Sequence, residues 1–277
     1  MKIYNPSSKG PLNGWLVASD VDGTVNSKLR YTPKRNVEAI RRFTRLGGFF
    51  TLASGRSVES VEAKYRSLPI DDVPAIVLNG ACIWDFTEGR ELAWHGLDRT
   101  AETVVADAAQ CFPSIGLDVY THSTVFTSGP APLSDFLVVG YSNRRYDSVG
   151  DMPSGEWGKV VFNGIPSEIK LLKAFLDSAN DGSYNVVSSS IASVEVLGRG
   201  VSKGDALLEL ADMMNISHEK TGAIGDYFND ESMIRMAGLS AACGQAPEAL
   251  RNLADYVTCH CNQGAVADFL DYIEDNF

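Results

Sequence analysis

Two carboxylates, Asp20 and Asp22, stand one residue apart where a short apolar run ends. The run, residues 15–18, has the length and composition of a buried strand, and open α/β sheets bind ligands at the carboxyl ends of their strands. Paired carboxylates can bind a hard cation and leave one group for proton transfer. Gly23 lets the backbone approach an anion closely. The segment therefore indicates phosphate chemistry.

A second segment offers groups that bind phosphate oxygens. Ser54, Gly55 and Arg56 follow the apolar run 49–53. A hydroxyl and the backbone N–H groups at a helix start suit a phosphate oxygen. Taken alone, Ser54 has the simpler explanation of a helix cap. Arg56 either orients a substrate or pairs with a neighbouring acid.

The remaining candidates lie in the last third of the chain. Lys203 opens a predicted helix, and Asp226 and Asp230 follow a predicted strand. The two carboxylates can share one face of the first helical turn. Taken singly, a lysine is most often solvated, and the segment from Asp226 to Asp230 could be a capped helix start.

The elements that must position these residues alternate between apolar runs and helical patterns. This alternation predicts a parallel sheet covered by helices. One predicted helix has Thr32 as its N-cap and Pro33 at its first position, and it ends before Gly47. Two more helices follow Lys203 and close the chain. The predicted strands are residues 15–19, 49–53, 75–78, 222–225, 240–243 and 256–259.

Between residues 79 and 200 the pattern changes to shorter alternating runs. It predicts a second, smaller α/β domain with a largely antiparallel sheet and helices on one face. Residues 1–82 and 198–277 then form a Rossmann-like parallel-sheet core, and residues 83–197 form the inserted domain. The predicted elements of the insert are strands at 82–86, 91–94, 117–121, 125–127, 136–141, 159–163 and 193–197, and helices near 101–111 and 167–179.

Composition excludes several other classes of protein. The 277 residues carry a formal net charge of −11 and a pI near 4.8, which argues against a nucleic-acid partner. Five cysteines without framework-like spacing favour free thiols in a reducing compartment. No apolar stretch reaches about 18 residues, so neither secretion nor membrane spanning is indicated. We expect a cytoplasmic protein, a monomer or weak homodimer, that acts on a small phosphorylated metabolite.

Together and in this order, the segments resemble the four motifs of the haloacid dehalogenase superfamily, and most closely its Cof-type sugar-phosphatase branch. The resemblance covers residues 14–83 and 195–272; elsewhere it is one of position and architecture. The insert follows the second motif, where Cof-type phosphatases carry an α/β cap that closes over the substrate and helps select it. The matching segments are residues 20–24, 53–56, 78–81, 201–207, 225–230, 254–258 and 264–267.

The resemblance implies a role for each candidate residue. Asp20 is the nucleophile that takes the phosphoryl group, and Asp22 is the general acid and base. Mg2+ is the cofactor, held by the Asp20 and Asp226 carboxylates and the backbone carbonyl of Asp22. The phosphate-binding residues are Gly23, Ser54, Gly55, Lys203 and Asn229, and residues that support the site or touch the substrate are Thr24, Arg56, Asn79 and Asp230.

Two other functions stay open at this level. A phosphohexomutase of the same superfamily shares the Asp-x-Asp pair and a cap at the same place, and it returns the phosphoryl group to a sugar. A non-catalytic sugar-phosphate-binding protein would keep the fold and lose turnover. It would be expected to lack the nucleophile or a metal ligand, whereas Asp20, Asp22, Lys203 and Asp226 are all present.

Overall fold

The computed structural model describes residues 10–27, 31–130 and 142–277, and it divides into two compact units. The first contains the described residues up to Leu92 together with Ser202–Phe277, and the second is Ala93–Val201. The functional domain boundaries after residues 82 and 197 stay a prediction, because compactness reports packing rather than function.

The elements are numbered along the chain. The strands are β1 (Leu16–Ser19), β2 (Phe49–Leu52), β3 (Ala75–Val77), β4 (Cys82–Asp85), β5 (Arg90–Trp94), β6 (Gly116–Tyr120), β7 (Thr124–Ser128), β8 (Ser142–Arg145), β9 (Lys159–Asn163), β10 (Tyr184–Ser190), β11 (Ser193–Gly198), β12 (Thr221–Gly225), β13 (Leu239–Ala242) and β14 (Tyr256–Val257). The helices are α1 (Lys34–Arg45), α2 (Val58–Ser67), α3 (Arg99–Cys111), α4 (Pro166–Ala179), α5 (Lys203–Met213), α6 (Glu231–Met236), α7 (Glu248–Arg251) and α8 (Ala265–Asn276). Within the described ranges, no helix is long and apolar enough to cross a bilayer.

A parallel sheet forms the centre of the first unit. Among the described residues, its five strands run in the order β14-β13-β12-β1-β2, and each neighbouring pair is parallel. Every residue of β1 and β12 is buried, because a parallel strand with both faces covered has no solvent side. The α/β class predicted from the alternating pattern is confirmed.

Helix α1 packs with α8 through its predicted apolar stripe. It buries Ala39, Ile40 and Phe43, which recur at helical spacing. The predicted N-cap is wrong, because α1 begins at Lys34 with Pro33 at the N-cap position and no side-chain cap. The Thr32 hydroxyl instead donates to Asn26 at 2.9 Å and accepts from Lys64 at 2.8 Å.

Strand β3 does not continue the five-stranded parallel sheet. Ala53 and Ile76 form a single parallel bridge, while β3 pairs antiparallel with β4 in the order β3-β4-β5. The strand predicted at 75–78 ends one residue sooner. Leu78, with φ 52°, begins a left-handed turn that continues through Asn79 and Gly80.

The second unit is built on a sheet whose strands run in the order β10-β11-β9-β6-β7-β8 in the described part of the chain. Its pairs are antiparallel except the parallel pair β7 and β8. Helices α3 and α4 supply Val105 and Leu172 to one apolar core with Val119 and Phe162 of the sheet. The strand predicted at 136–141 lies outside the described residues.

Side chains on the other face of that sheet are largely polar, because successive residues of a strand point to opposite faces. Lys159 and Glu195 form a buried ion pair there with 2.9 Å between Nζ and Oε2. The amide of Asn163 donates to Asp118 at 3.1 Å. Alternation along the strands thus places polar side chains on one face of the sheet and the apolar core on the other.

Candidate active site

Asp20 and Lys203 form the buried centre of the site. Asp20 follows β1 directly, and its backbone N–H donates to the carbonyl of Ile224 in β12 at 3.0 Å. Lys203 is the first residue of α5, and its Nζ lies 2.7 Å from Asp20 Oδ1 and 2.6 Å from Asp230 Oδ1. Its side chain is fully buried. Three residues distant in sequence thus meet around one ammonium group.

Burial and neighbouring charges set the protonation of this centre. Burial raises the pKa of the Asp20 carboxyl well above its usual range; Lys203 lowers that pKa, and the carboxylates of Asp230 and Asp226 raise it further. Burial lowers the pKa of Lys203, but its two aspartate partners raise it above the ordinary value. Lys203 is therefore charged at neutral pH, and the carboxylates around it still favour a further cation.

The turn after β12 positions Asp226. Asp230 Oδ2 accepts hydrogen bonds from the backbone N–H groups of Asp226 at 2.8 Å and Tyr227 at 3.1 Å. A Cβ on Gly225 would lie 2.4 Å from the Asp230 side chain, so only glycine fits there. Asp230 therefore folds the turn that presents Asp226.

Gly23 is required for two reasons. Its φ of 87° lies in the left-handed region, which side chains disfavour. A Cβ there would also lie 2.3 Å from Asp226 Oδ2. Gly23 therefore lets the loop after β1 approach the turn after β12.

Asp22 and Arg56 form a two-point ion pair. Arg56 Nε donates to Asp22 Oδ2 at 2.6 Å, and its second nitrogen donates to Oδ1 at 2.7 Å. Both side chains are partly exposed. The backbone N–H of Arg56 also donates to Ser54 Oγ at 3.1 Å. Of the two interpretations of Arg56, the structure shows the pairing with an acid.

The left-handed turn at residues 78–80 connects several of the predicted motifs. The N–H of Asn79 donates to the carbonyl of Ser54 at 2.9 Å, and Asn229 Nδ2 donates to Asn79 Oδ1 at 3.4 Å. A Cβ on Gly80 would lie 2.1 Å from the carbonyl oxygen of Ser202, the residue that caps α5. The turn thus links Ser54 to the start of α5.

Thr24 and Gly55 support the backbone around the site. Thr24 is fully buried and accepts a weak hydrogen bond from the Cys243 thiol at 3.7 Å. A Cβ on Gly55 would lie 2.9 Å from Asn79 Oδ1, so glycine permits the approach of Asn79. Every residue predicted for the site lies in the first unit.

The carboxylates fit a hard divalent cation. Among the described residues, Asp20, Asp226 and Asp230 each offer an oxygen, and these oxygens lie within 4.8 Å of one another. Such an all-oxygen set suits Mg2+ or Ca2+ better than a soft metal. Both oxygens of Asp230 already accept hydrogen bonds, from Lys203 and from two backbone amides. Asp20 and Asp226 are therefore the carboxylates better placed to bind a metal directly.

One residue of the site, Gln245, was not found by the sequence analysis. Its Nε2 donates to the carbonyl of Gly23 at 2.6 Å and lies 3.5 Å from Asp226 Oδ2. Gln245 follows β13, whose carboxyl end lies beside that of β12. A search of every residue just beyond a predicted parallel strand would have included it.

Comparisons with known proteins show the family to which the chain belongs. The family model described as haloacid dehalogenase-like hydrolase matches residues 17–270. The chain is 29% identical to the 5-amino-6-(5-phospho-D-ribitylamino)uracil phosphatase YwtE of Bacillus subtilis, over 93% of this chain and 97% of that one. It is 26% identical to the phosphatase YwpJ of the same organism, over 93% of this chain and 99% of that one.

Solved structures show the same fold. A haloacid dehalogenase-like hydrolase from B. subtilis superposes with a TM-score of 0.81 at 23% identity, covering 93% of this chain and 99% of that chain. A sugar phosphatase of haloacid dehalogenase subclass IIB gives a TM-score of 0.80 at 21% identity, covering 94% and 99%. The chain belongs to the haloacid dehalogenase-like hydrolases of Cof type, and it is a phosphoric monoester hydrolase.

Proposed function

We propose that this phosphatase hydrolyses small phosphomonoesters, sugar phosphates in particular, in a Mg2+-dependent reaction that passes through an aspartyl-phosphate on Asp20. The contact of Lys203 Nζ with Asp20 Oδ1, at 2.7 Å and in a buried place, carries the proposal. A buried cation beside the carboxylate favours its ionised, nucleophilic form. The same ammonium group offers positive charge to a phosphate dianion.

In the first step, an Asp20 oxygen attacks phosphorus. The new O–P bond forms as the ester P–O bond breaks. Asp22, protonated at an oxygen that has left the Arg56 guanidinium, gives its proton to the leaving alkoxide. In the second step, Asp22 takes a proton from water. The water oxygen attacks phosphorus and the bond to Asp20 breaks. Inorganic phosphate is released, and the Asp20 carboxylate is restored.

Charge on the transferring phosphoryl group is distributed over its equatorial oxygens. We assign Ser54, Gly55, Lys203, Asn229 and the amides near Gly23 to those oxygens. Asn79 lies 3.4 Å from Asn229 and supports its position. The Asp20 and Asp226 carboxylates and the carbonyl of Asp22 would hold Mg2+, which supplies positive charge to the phosphoryl oxygens.

The substrate class is supported by relatives. The name of the B. subtilis relative YwtE describes a phosphate on a ribityl chain, and a structure of the same fold belongs to a sugar phosphatase. Both substrates are phosphorylated polyhydroxy compounds. We therefore propose a phosphorylated sugar or polyol as the substrate of this protein.

The experiment that tests the proposal measures phosphate release from a panel of phosphorylated sugars, polyols, nucleotides and pyridoxal phosphate. Each ester is assayed with Mg2+ and with EDTA. Release should need Mg2+, be highest for sugar or polyol phosphates, and be lost in Asp20→Asn because an amide is a poor nucleophile. Asp212→Asn, an exposed acid outside the site, is the matched control and should keep wild-type activity.

Two results would contradict the proposal. One is metal-dependent turnover that survives Asp20→Asn in a variant with an unchanged circular dichroism spectrum. The other is no free phosphate from any ester. Conversion of one sugar phosphate into its isomer, without phosphate release, would identify a mutase instead.

A further inference from the structure

We propose that Gln245 is a positioning residue that holds the Asp226 carboxylate and the loop at Gly23 in the arrangement that binds the divalent cation. The inference rests on the proposed function for the metal site, and it adds a residue to which no role has been assigned. Gln245 contacts three separate segments: the loop after β1, the turn after β12 and the segment after β14.

The hydrogen bonds of Gln245 set the orientation of its amide. Oε1 accepts from the backbone N–H of Cys261 at 2.9 Å, and Nε2 donates to the carbonyl of Gly23 at 2.6 Å. Exchanging the two amide atoms would place donor against donor and acceptor against acceptor. The Nε2 group is therefore the one directed toward Gly23 and Asp226.

This orientation presents an N–H group to Asp226. Nε2 lies 3.5 Å from Asp226 Oδ2, the long end of a hydrogen bond. The contact therefore directs the carboxylate without replacing a metal as its main partner. The bond to Gly23 holds the loop against which Asp226 packs, because Gly23 has no Cβ to separate them.

A neutral amide suits this place better than a charged side chain. A lysine or arginine would neutralise Asp226 and compete with the cation, whereas a carboxamide donates a hydrogen bond and leaves the carboxylate charge intact. Partners that orient metal ligands commonly change metal affinity by roughly 10–100-fold when they are removed. Gln245 has the position and chemistry of such a partner.

A structural role for Gln245 makes a different prediction. Its bond to Cys261 lies just before α8, so loss of that bond alone would lower stability and leave metal affinity unchanged. The two roles are therefore separated by measuring metal affinity and stability on the same variant.

The test uses the full chain treated with chelator, and it measures Mn2+ binding by electron paramagnetic resonance without substrate. We expect Gln245→Met, which keeps the length of the side chain but cannot hydrogen-bond, to weaken Mn2+ binding roughly 10–100-fold. Activity should recover toward the wild-type kcat as Mg2+ is raised. The control is Gln263→Met, at an exposed position in the turn that follows Cys261, and its Mn2+ affinity should match wild type.

Urea unfolding in EDTA shows whether each variant folds. If Gln245→Met does not fold, Gln245→Asn takes its place, because it keeps the amide and is one methylene too short for the same contacts. A folded variant whose Mn2+ affinity stays within about twofold of wild type overturns the inference. So does a wild type that binds no Mn2+. A wild type that binds Mn2+ but hydrolyses no ester contradicts the proposed function alone.

Discussion

Among the single residues of this site, Asp22 and Arg56 form an ion pair whose effects on stability and on catalysis differ. Asp22 is the residue we assign to proton transfer, and its carboxylate is held at both oxygens by one guanidinium. The Arg56 side chain is 38% exposed and the Asp22 side chain 48% exposed, so solvent screens the pair and its contribution to stability is small. The pair therefore matters for the placement of Asp22.

Replacing Arg56 should separate activity from stability. In Arg56→Met we expect kcat to fall by about tenfold or more, because an unplaced acid loses part of the roughly 10²–10⁴ that a positioned one contributes. The free energy of unfolding should change by less than about 1 kcal/mol. Arg56→Lys should recover little, because lysine cannot form the two-point pair. Steady-state kinetics and urea unfolding measure the two effects.

The control for Arg56 is another exposed arginine of the same unit. Arg66 pairs with Glu62 one turn away on α2, and Arg66→Met should leave kcat unchanged. If Arg56→Met keeps the wild-type kcat, Arg56 does not position Asp22 for the reaction.

Among the elements, the turn at residues 78–80 restricts the backbone at three consecutive residues. Leu78, Asn79 and Gly80 have φ values of 52°, 55° and 101°. Left-handed conformations cost a non-glycine residue roughly 1–2 kcal/mol each, and such strain persists only where surrounding contacts enforce it. Here the contacts come from Ser54 and from the start of α5. The strained turn therefore sets the distance between Ser54 and the start of α5, two segments that we assign to phosphate binding.

Gly80→Ala should test that function of the turn. A Cβ would enter to 2.1 Å from the Ser202 carbonyl, so the start of α5 must shift and Lys203 with it. We expect a loss of more than about 2 kcal/mol in unfolding free energy, the sum of left-handed strain and overpacking. We also expect a fall in kcat. Urea unfolding and phosphate release measure both.

Gly89 offers a matched control for this substitution. It also has a positive φ, 63°, but nothing lies within 4 Å of the Cβ that alanine would add. Gly89→Ala should cost only the left-handed strain of about 1–2 kcal/mol and leave kcat unchanged. Equal effects of the two substitutions would show that the contact with Ser202 has no importance.

At the scale of the whole molecule, buried ionisable groups make stability depend on pH. Burial raises the pKa of the Cys82 thiol from 9.0 to about 12, and it also raises the pKa values of the Tyr65 and Tyr120 phenols. These groups keep their protons in the folded state at a pH where the unfolded chain has lost them. Between those pH values the folded state binds more protons, so stability falls as pH rises.

Lys203 acts in the same direction. Its pKa is raised in the folded state by Asp20 and Asp230 against the effect of burial. The stability it contributes is complete below its unfolded pKa and is lost as pH rises through its folded pKa. Alkaline pH therefore lowers the stability that is contributed both by the buried core residues and by Lys203 in the site.

We accordingly expect the urea midpoint to fall steadily between about pH 8 and about pH 10, where free thiols and phenols begin to ionise. Cys82→Ala should show a lower midpoint at neutral pH because of its cavity, and a shallower fall with pH because the buried thiol is gone. Unfolding curves at constant ionic strength measure this. A wild-type urea midpoint that rises over this pH range would contradict the directions given for these pKa shifts.

Local sequence patterns were sufficient to predict the class of the fold and the position of the main motifs. Local apolar patterns encode strands β1, β2, β12 and β13 and helix α5. Asp20, Ser54 and Asp226 lie one or two residues beyond the ends of such strands. Because parallel strands end at one edge of the sheet, local pattern alone was enough to predict that these residues come together.

Which side chains contact one another could not be predicted from these local patterns. Gln245 contacts Gly23 across 222 positions of sequence. Arg56 pairs with Asp22, and Thr32 donates to Asn26 instead of capping α1. The position of Gly80 requires glycine because the Ser202 carbonyl leaves no room for a Cβ there. Such choices depend on distances between segments far apart in the chain, and periodicity and propensity describe only neighbours along it.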